Sequence, residues 1–202
     1  MFSFFSYAQE PPPDPLRTKL NTVFANISRT PITTGYLSDY ATPLLPLENF
    51  NGILTENNRT TLNGWRMLYA TWFTSYIAGT TNPNTGLTAV NSAIASAQNS
   101  NGGSVVIPML HINYNSLRSD AVTANLLRVN NNQLFDVAGR TQSPYNQKVL
   151  FAAAPAVNYD DDGLVSFVLQ QNLFWSNFGF INALAIDFGE GGGYVGVVGV
   201  CL

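Results

Sequence analysis

Apolar positions in the first half of the chain recur at helical spacing. Leu16, Leu20, Val23, Phe24 and Ile27 lie at i, i+4, i+7, i+8 and i+11, one face of a helix that opens with Asp14 as N-cap and Pro15 in the first turn and stops at Pro31. The stretch 33–47 carries Gly35, Pro43 and Pro46 and predicts a clamped loop. A second helix is predicted from about Thr60 to Ile77, where Leu62, Trp65, Leu68, Tyr69, Trp72, Phe73 and Tyr76 form a wide aromatic stripe. Aromatics at this spacing mostly pack, so the stripe reads as core in preference to a cofactor or carbohydrate platform. A third helix spans about Leu87 to Gln98, with Leu87, Val90, Ile94 and Ala97 inward and Asn101-Gly102-Gly103 as its stop.

Beyond Gly103 the period shortens to two. Val105, Ile107, Met109 and His111 alternate with Val106, Leu110, Ile112 and Tyr114, and Pro108 within the run marks an edge strand or a bulge. A helical turn is expected near 116–124. Further strands are expected at 133–137, 148–154, 164–174, 183–188 and 194–200, separated by Gly, Asn and Asp. The predicted class is α+β: a helical N-terminal part packed on an incomplete antiparallel β-sandwich. Residues 16–103 form the helical part and 104–202 the sandwich part; 9–15 is a Pro-rich linker, and no repeat recurs at a fixed period.

Composition narrows the compartment. Of 202 residues, 46% are hydrophobic, which suits a packed core, while only 10% are charged, against roughly a quarter in average domains. Asn, Thr and Ser supply the polar surface instead, as in extracellular β-rich proteins. Residues 1–8 read as the remnant of a signal peptide, with Ser6-Tyr7-Ala8 preparing a cleavage before Gln9 but no basic segment ahead of it. A net charge of −3, with the basic residues scattered singly, offers no footprint for nucleic acid. No apolar run approaches the ~20 residues of a membrane span. The lone cysteine, Cys201, cannot form an internal disulfide.

Chemistry-bearing patterns are sparse. His111 is the single histidine, so a site with two imidazole ligands is excluded, and any Ser-His-Asp relay would depend on this residue without a Gly-x-Ser-x-Gly elbow. A hydrogen-bonded strand histidine is the expected role. Gly189-Glu190-Gly191-Gly192-Gly193 follows a strand but precedes β-branched residues, not a helix, which argues against a phosphate cradle. Asn158, Asp160 and Asp162 with Gly163 match the opening of a calcium loop, but the twelfth position is Leu169 where a bidentate Glu belongs. An acidic hairpin turn competes with calcium there, and the same reading serves Asp187 and Glu190. Asn26 and Asn58 begin Asn-x-Ser/Thr triplets.

Ile186-Asp187-Phe188-Gly189-Glu190-Gly191 resembles the Asp-Phe-Gly-Asp-Gly signature of Ig-like repeats of the polycystic-kidney-disease (PKD) type, with Glu190 where Asp is usual. Several further blocks resemble the N-terminal region of large secreted surface proteins of Bacteroidetes. These are Thr34 to Asp39, the aromatic run Trp65 to Tyr76, Val106 to Leu110 with Tyr114, Leu134 to Arg140, Ser143 to Tyr145, and Phe151 to Pro155. The resemblance implies export, a sandwich in which the signature shapes a turn, and a non-enzymatic module serving presentation, adhesion or assembly at the cell surface. An accessory carbohydrate-binding domain of a secreted hydrolase is the alternative, with Trp175 and Tyr145 as exposed ligand-binding aromatics. A small enzyme using His111 and a nearby Asp ranks third. Surface glycans or other surface proteins are the expected partners. The run 195–202 reads as a truncated or frameshifted tail, so the strand 194–200 is expected to lack its partner and to promote self-association.

Overall fold

The first helix is shorter than its apolar periodicity because Asn26 is drawn into a strand contact. In the computed structural model, which describes residues 15–47, 60–79, 81–158, 165–177, 184–187 and 191–196, helix α1 runs Pro15–Val23. Asn26 then bridges in parallel to Phe135, and its Nδ2 donates to Gln133 Oε1 at 3.1 Å. Phe24 and Ile27 still reach the core from irregular backbone. The expected N-cap, Asp14, lies outside the described residues.

Helix α2 spans Leu62–Thr74, capped by Thr61, whose hydroxyl accepts from the Gly64 N–H at 3.2 Å. Its buried residues include Trp65, Leu68, Tyr69 and Trp72, the predicted stripe. Tyr76 and Ile77 fall outside the helix because their backbone is claimed by the loop before it. Leu37 N donates to Ser75 O at 3.0 Å, Ile77 N donates to Gly35 O at 2.9 Å, and Tyr36 and Tyr76 form an antiparallel bridge. Helix α3, Leu87–Ser100, buries Val90, Ile94 and Ala97 and ends at Asn101, whose Nδ2 donates to Ala97 O at 2.8 Å.

Pro108 divides the predicted first strand in two. Strand β1 is Ser104–Val106 and β2 is Met109–Leu117, and the two belong to different sheets. Strands β3 (Leu127–Asn130) and β4 (Gln133–Asp136) make a hairpin closed by Asn131 and Asn132, both with positive φ (48° and 58°), the backbone of a type I′ turn. Strand β5 is Tyr145–Ala153. The single strand expected at 164–174 is instead β6 (Ser166–Val168), a 3₁₀ turn over Gln171–Leu173, and β7 (Phe174–Ser176). Strands β8 (Ala185–Ile186) and β9 (Val195–Gly196) pair with each other, so this described part of the C-terminal strand does have a partner, contrary to expectation. Residues 197–202, Cys201 included, lie outside the described residues.

The chain is therefore α+β, with three helices and short open sheets. Pairing departs from an all-antiparallel plan. The central sheet has the order β5-β2-β7, antiparallel between β2 and β5 but parallel between β2 and β7, and β1 pairs with β6 in parallel. Its even-numbered β2 face, Leu110, Ile112 and Tyr114, joins Leu150 and Ala152 of β5 and the stripes of α2 and α3 in one core. A second core gathers Phe24, Ile27, Ile32, Leu37, Tyr40, Ile77, Leu127 and Tyr145. No helix of the described residues is long and apolar enough to cross a membrane.

Candidate functional site

A cavity of about 360 Å³ opens where four chain segments meet: the 32–36 loop, the residues after α2, the 83–84 turn and the residue after β7. The loop approaches the residues after α2 closely at Gly35, whose φ is +77°. A Cβ there would sit 3.2 Å from Ala78 Cβ and 3.3 Å from the Tyr76 ring, so glycine serves both the backbone and the contact.

Amide side chains set the walls. Asn82 Oδ1 accepts the N–H of Asn84 at 2.9 Å, an Asx turn around Pro83, and Asn82 Nδ2 donates to Phe73 O at 2.7 Å. The Tyr36 hydroxyl donates to Asn82 Oδ1 at 2.8 Å and accepts from Asn84 Nδ2. Burial is the main reason that the Tyr36 phenol is pushed up to about 12, so it keeps its proton and its donor role. Asn177 extends β7 with its side chain: its Oδ1 accepts Asn113 N and its Nδ2 donates to Asn113 O, both at 2.7 Å. Thr34 Oγ1 bonds Asn115 Oδ1 at 2.8 Å, tying the loop to β2.

The residues singled out from sequence take other places. Tyr145 is buried, and its hydroxyl donates to Ser28 O at 3.0 Å. Trp175 is half-buried against Trp65 and Tyr69, with ring centroids at 5.3 and 6.0 Å. Neither is the exposed aromatic that a glycan platform needs: in each case packing claims the ring, and the two lie in different cores. His111 is half-buried between Phe151 and Phe174, at 6.4 and 6.3 Å, and burial holds its imidazole below the ordinary 6.5. Asn158 is exposed, whereas Asp160, Asp162, Gly189 and Glu190 lie outside the described residues. Gly191, Gly192 and Gly193 of the glycine-rich turn are exposed, and Gly191 and Gly193 have positive φ (77° and 72°). Among the described residues no three His, Cys, Asp or Glu side chains gather to hold a metal.

Sequence reasoning passed over Tyr36, Asn82, Asn84 and Asn177. The Asn82-Pro83-Asn84 triplet was a readable turn signal, but its meeting with Tyr36 and Asn177 depends on contacts across the chain. No protein-family model matches this chain, and neither does any curated protein or solved structure.

Proposed function

We propose that this chain is a non-enzymatic module of an exported, surface-associated protein, serving presentation, adhesion or assembly. The observation that carries the reading is the use of its interior polar groups. Arg17 donates to three backbone carbonyls, Trp65 Nε1 to Ala152 O, Tyr114 and Tyr145 hydroxyls to Leu47 O and Ser28 O, and Asn177 to the backbone of β2. These groups brace the main chain, as a scaffold requires. Low charge, an Asn/Thr-rich surface and the leader-like residues 1–8 support export. The Ig-like or PKD-like sandwich belongs to the same proposal. It draws support from the antiparallel pairs β2–β5, β3–β4 and β8–β9 and from the signature that begins in β8, while the parallel pairs would set it apart from a regular repeat.

In the native host, an epitope-tagged copy is expected to react with a membrane-impermeant label on intact cells, and loss of the gene to reduce attachment. Labelling only after lysis would refute export. The carbohydrate-binding alternative keeps one specific observation in its favour, the uncharged amide- and tyrosine-lined cavity, in place of Trp175 and Tyr145.

A further inference from the structure

The cavity beside Gly35 has a chemistry that selects among ligands. Its lining is Ile, Thr, Gly, Tyr, Ala, Pro and Asn, without a charged side chain among the described residues. A charged ligand finds no counter-ion on these walls, and the site, open to solvent, offers hydrogen bonds and apolar surface, which suit neutral molecules. The ring of Tyr76, with Ile32 and Pro83, supplies apolar surface. Hydrogen-bonding capacity is left over on the same walls. Asn84 Nδ2 is engaged by Tyr36, yet no described group donates to Asn84 Oδ1. Asn177 gives one N–H to Asn113 O and has a second without a described acceptor, and the Thr33 hydroxyl makes no bond to a described residue. These groups are held in place by the Tyr36–Asn82–Asn84 bonds and by the paired Asn113 and Asn177, so little ordering would accompany binding. A volume of about 360 Å³ lies near the lower end for small-molecule sites and is enough to seat a single ring.

We infer that this cavity binds a single neutral, hydroxyl-rich ring: one uncharged sugar residue, with Tyr76 against its apolar face and the carboxamides of Asn84 and Asn177 on its hydroxyls. The inference deepens the carbohydrate-binding reading and rests on it. Free monosaccharide and the terminal residue of a glycan share this chemistry, and the assay separates them.

The full chain is titrated by ligand-observed NMR with methyl glycosides of neutral hexoses, with a methyl uronate as charged control, and in parallel with neutral polysaccharides. Neutral glycosides are expected to bind and the uronate to fail. Asn84→Ala is expected to weaken binding about tenfold, the equivalent of one hydrogen bond. Thr33→Arg, which narrows the opening without removing a described internal bond, is expected to abolish it and serves if Asn84→Ala unfolds. Binding by polysaccharide alone, sensitive to Thr33→Arg, would identify a glycan terminus as the ligand. Polysaccharide binding that survives Thr33→Arg would overturn the cavity assignment and leave the carbohydrate-binding reading intact. Binding of neither ligand class would overturn both.

Discussion

Arg17 shows how one side chain can terminate several segments at once. It extends from α1 to donate to Tyr40 O at 3.2 Å, to Tyr76 O at 3.1 Å and to Thr74 O, and its guanidinium lies 3.9 Å over the Tyr40 ring. Thr74 is the last residue of α2, so the cation also sits at the negative end of that helix. Arg17→Met should destabilise the protein by about 2–3 kcal/mol in chemical denaturation, since charged hydrogen bonds are lost and carbonyls are left unsatisfied. Arg17→Lys should recover only part, because an ammonium cannot reproduce the planar fork or the stacking. Buried tyrosines make a second expectation at this scale. Burial pushes Tyr36, Tyr114 and Tyr145 up to about 12 from the ordinary 10.0, and it raises Tyr69 as well. Folding therefore opposes loss of these protons. The stability they contribute is complete below pH 10 and falls as the pH rises from 10 toward about 12. Tyrosinate absorbance should rise in step with loss of near-ultraviolet dichroism; ionisation of all nine tyrosines near pH 10 in the folded protein would contradict this.

Helix α2 is the element that organises the rest. Trp65 is fully buried, stacks on Tyr69 at 5.7 Å, meets Trp175 and donates from Nε1 to Ala152 O at 3.2 Å, so it joins the helix to β5 by both packing and a polar bond. Trp65→Ala is expected to cost about 3–5 kcal/mol, and Trp65→Phe about 1–2 kcal/mol through the lost indole hydrogen bond and the smaller ring. Urea titration monitored at far-ultraviolet wavelengths measures both, and a negligible loss for Trp65→Phe would show that the indole N–H contributes nothing. The helices were legible because their stripes span several turns and serve one partner surface. The strands were less so. Pro108 was readable as an interruption, but the change of sheet that it permits was not. The β3–β4 hairpin was half-missed, although Asn130-Asn131-Asn132 is a sequence that tolerates positive φ.

At the scale of the molecule, the expected division at residue 103 crosses a shared interior. Val90 and Ile94 of α3, Trp65 and Trp72 of α2, and Leu110, Ile112 and Leu150 of the central sheet belong to one cluster of buried residues. Neither side can bury its apolar face without the other. A fragment of residues 16–103 should therefore show little fixed tertiary structure, and the full chain should unfold in one transition by both tryptophan fluorescence and far-ultraviolet dichroism. Two separated transitions, or a cooperatively folded fragment, would establish independent domains.

Local pattern alone determined the three helices, the stop after Ser100, the interruption at Pro108 and the α+β class. Each follows from periodicity or from the backbone limits of Pro and Gly, which operate within a few residues. Tertiary structure decided what local rules cannot reach. It turned Asn26 out of α1, made two strand pairs parallel, buried Tyr145, and brought Tyr36, Asn84 and Asn177 to one cavity. Those outcomes depend on which distant segment satisfies a given N–H, carbonyl or apolar face. That choice is made by the free energy of the whole packed chain and not by any window of its sequence.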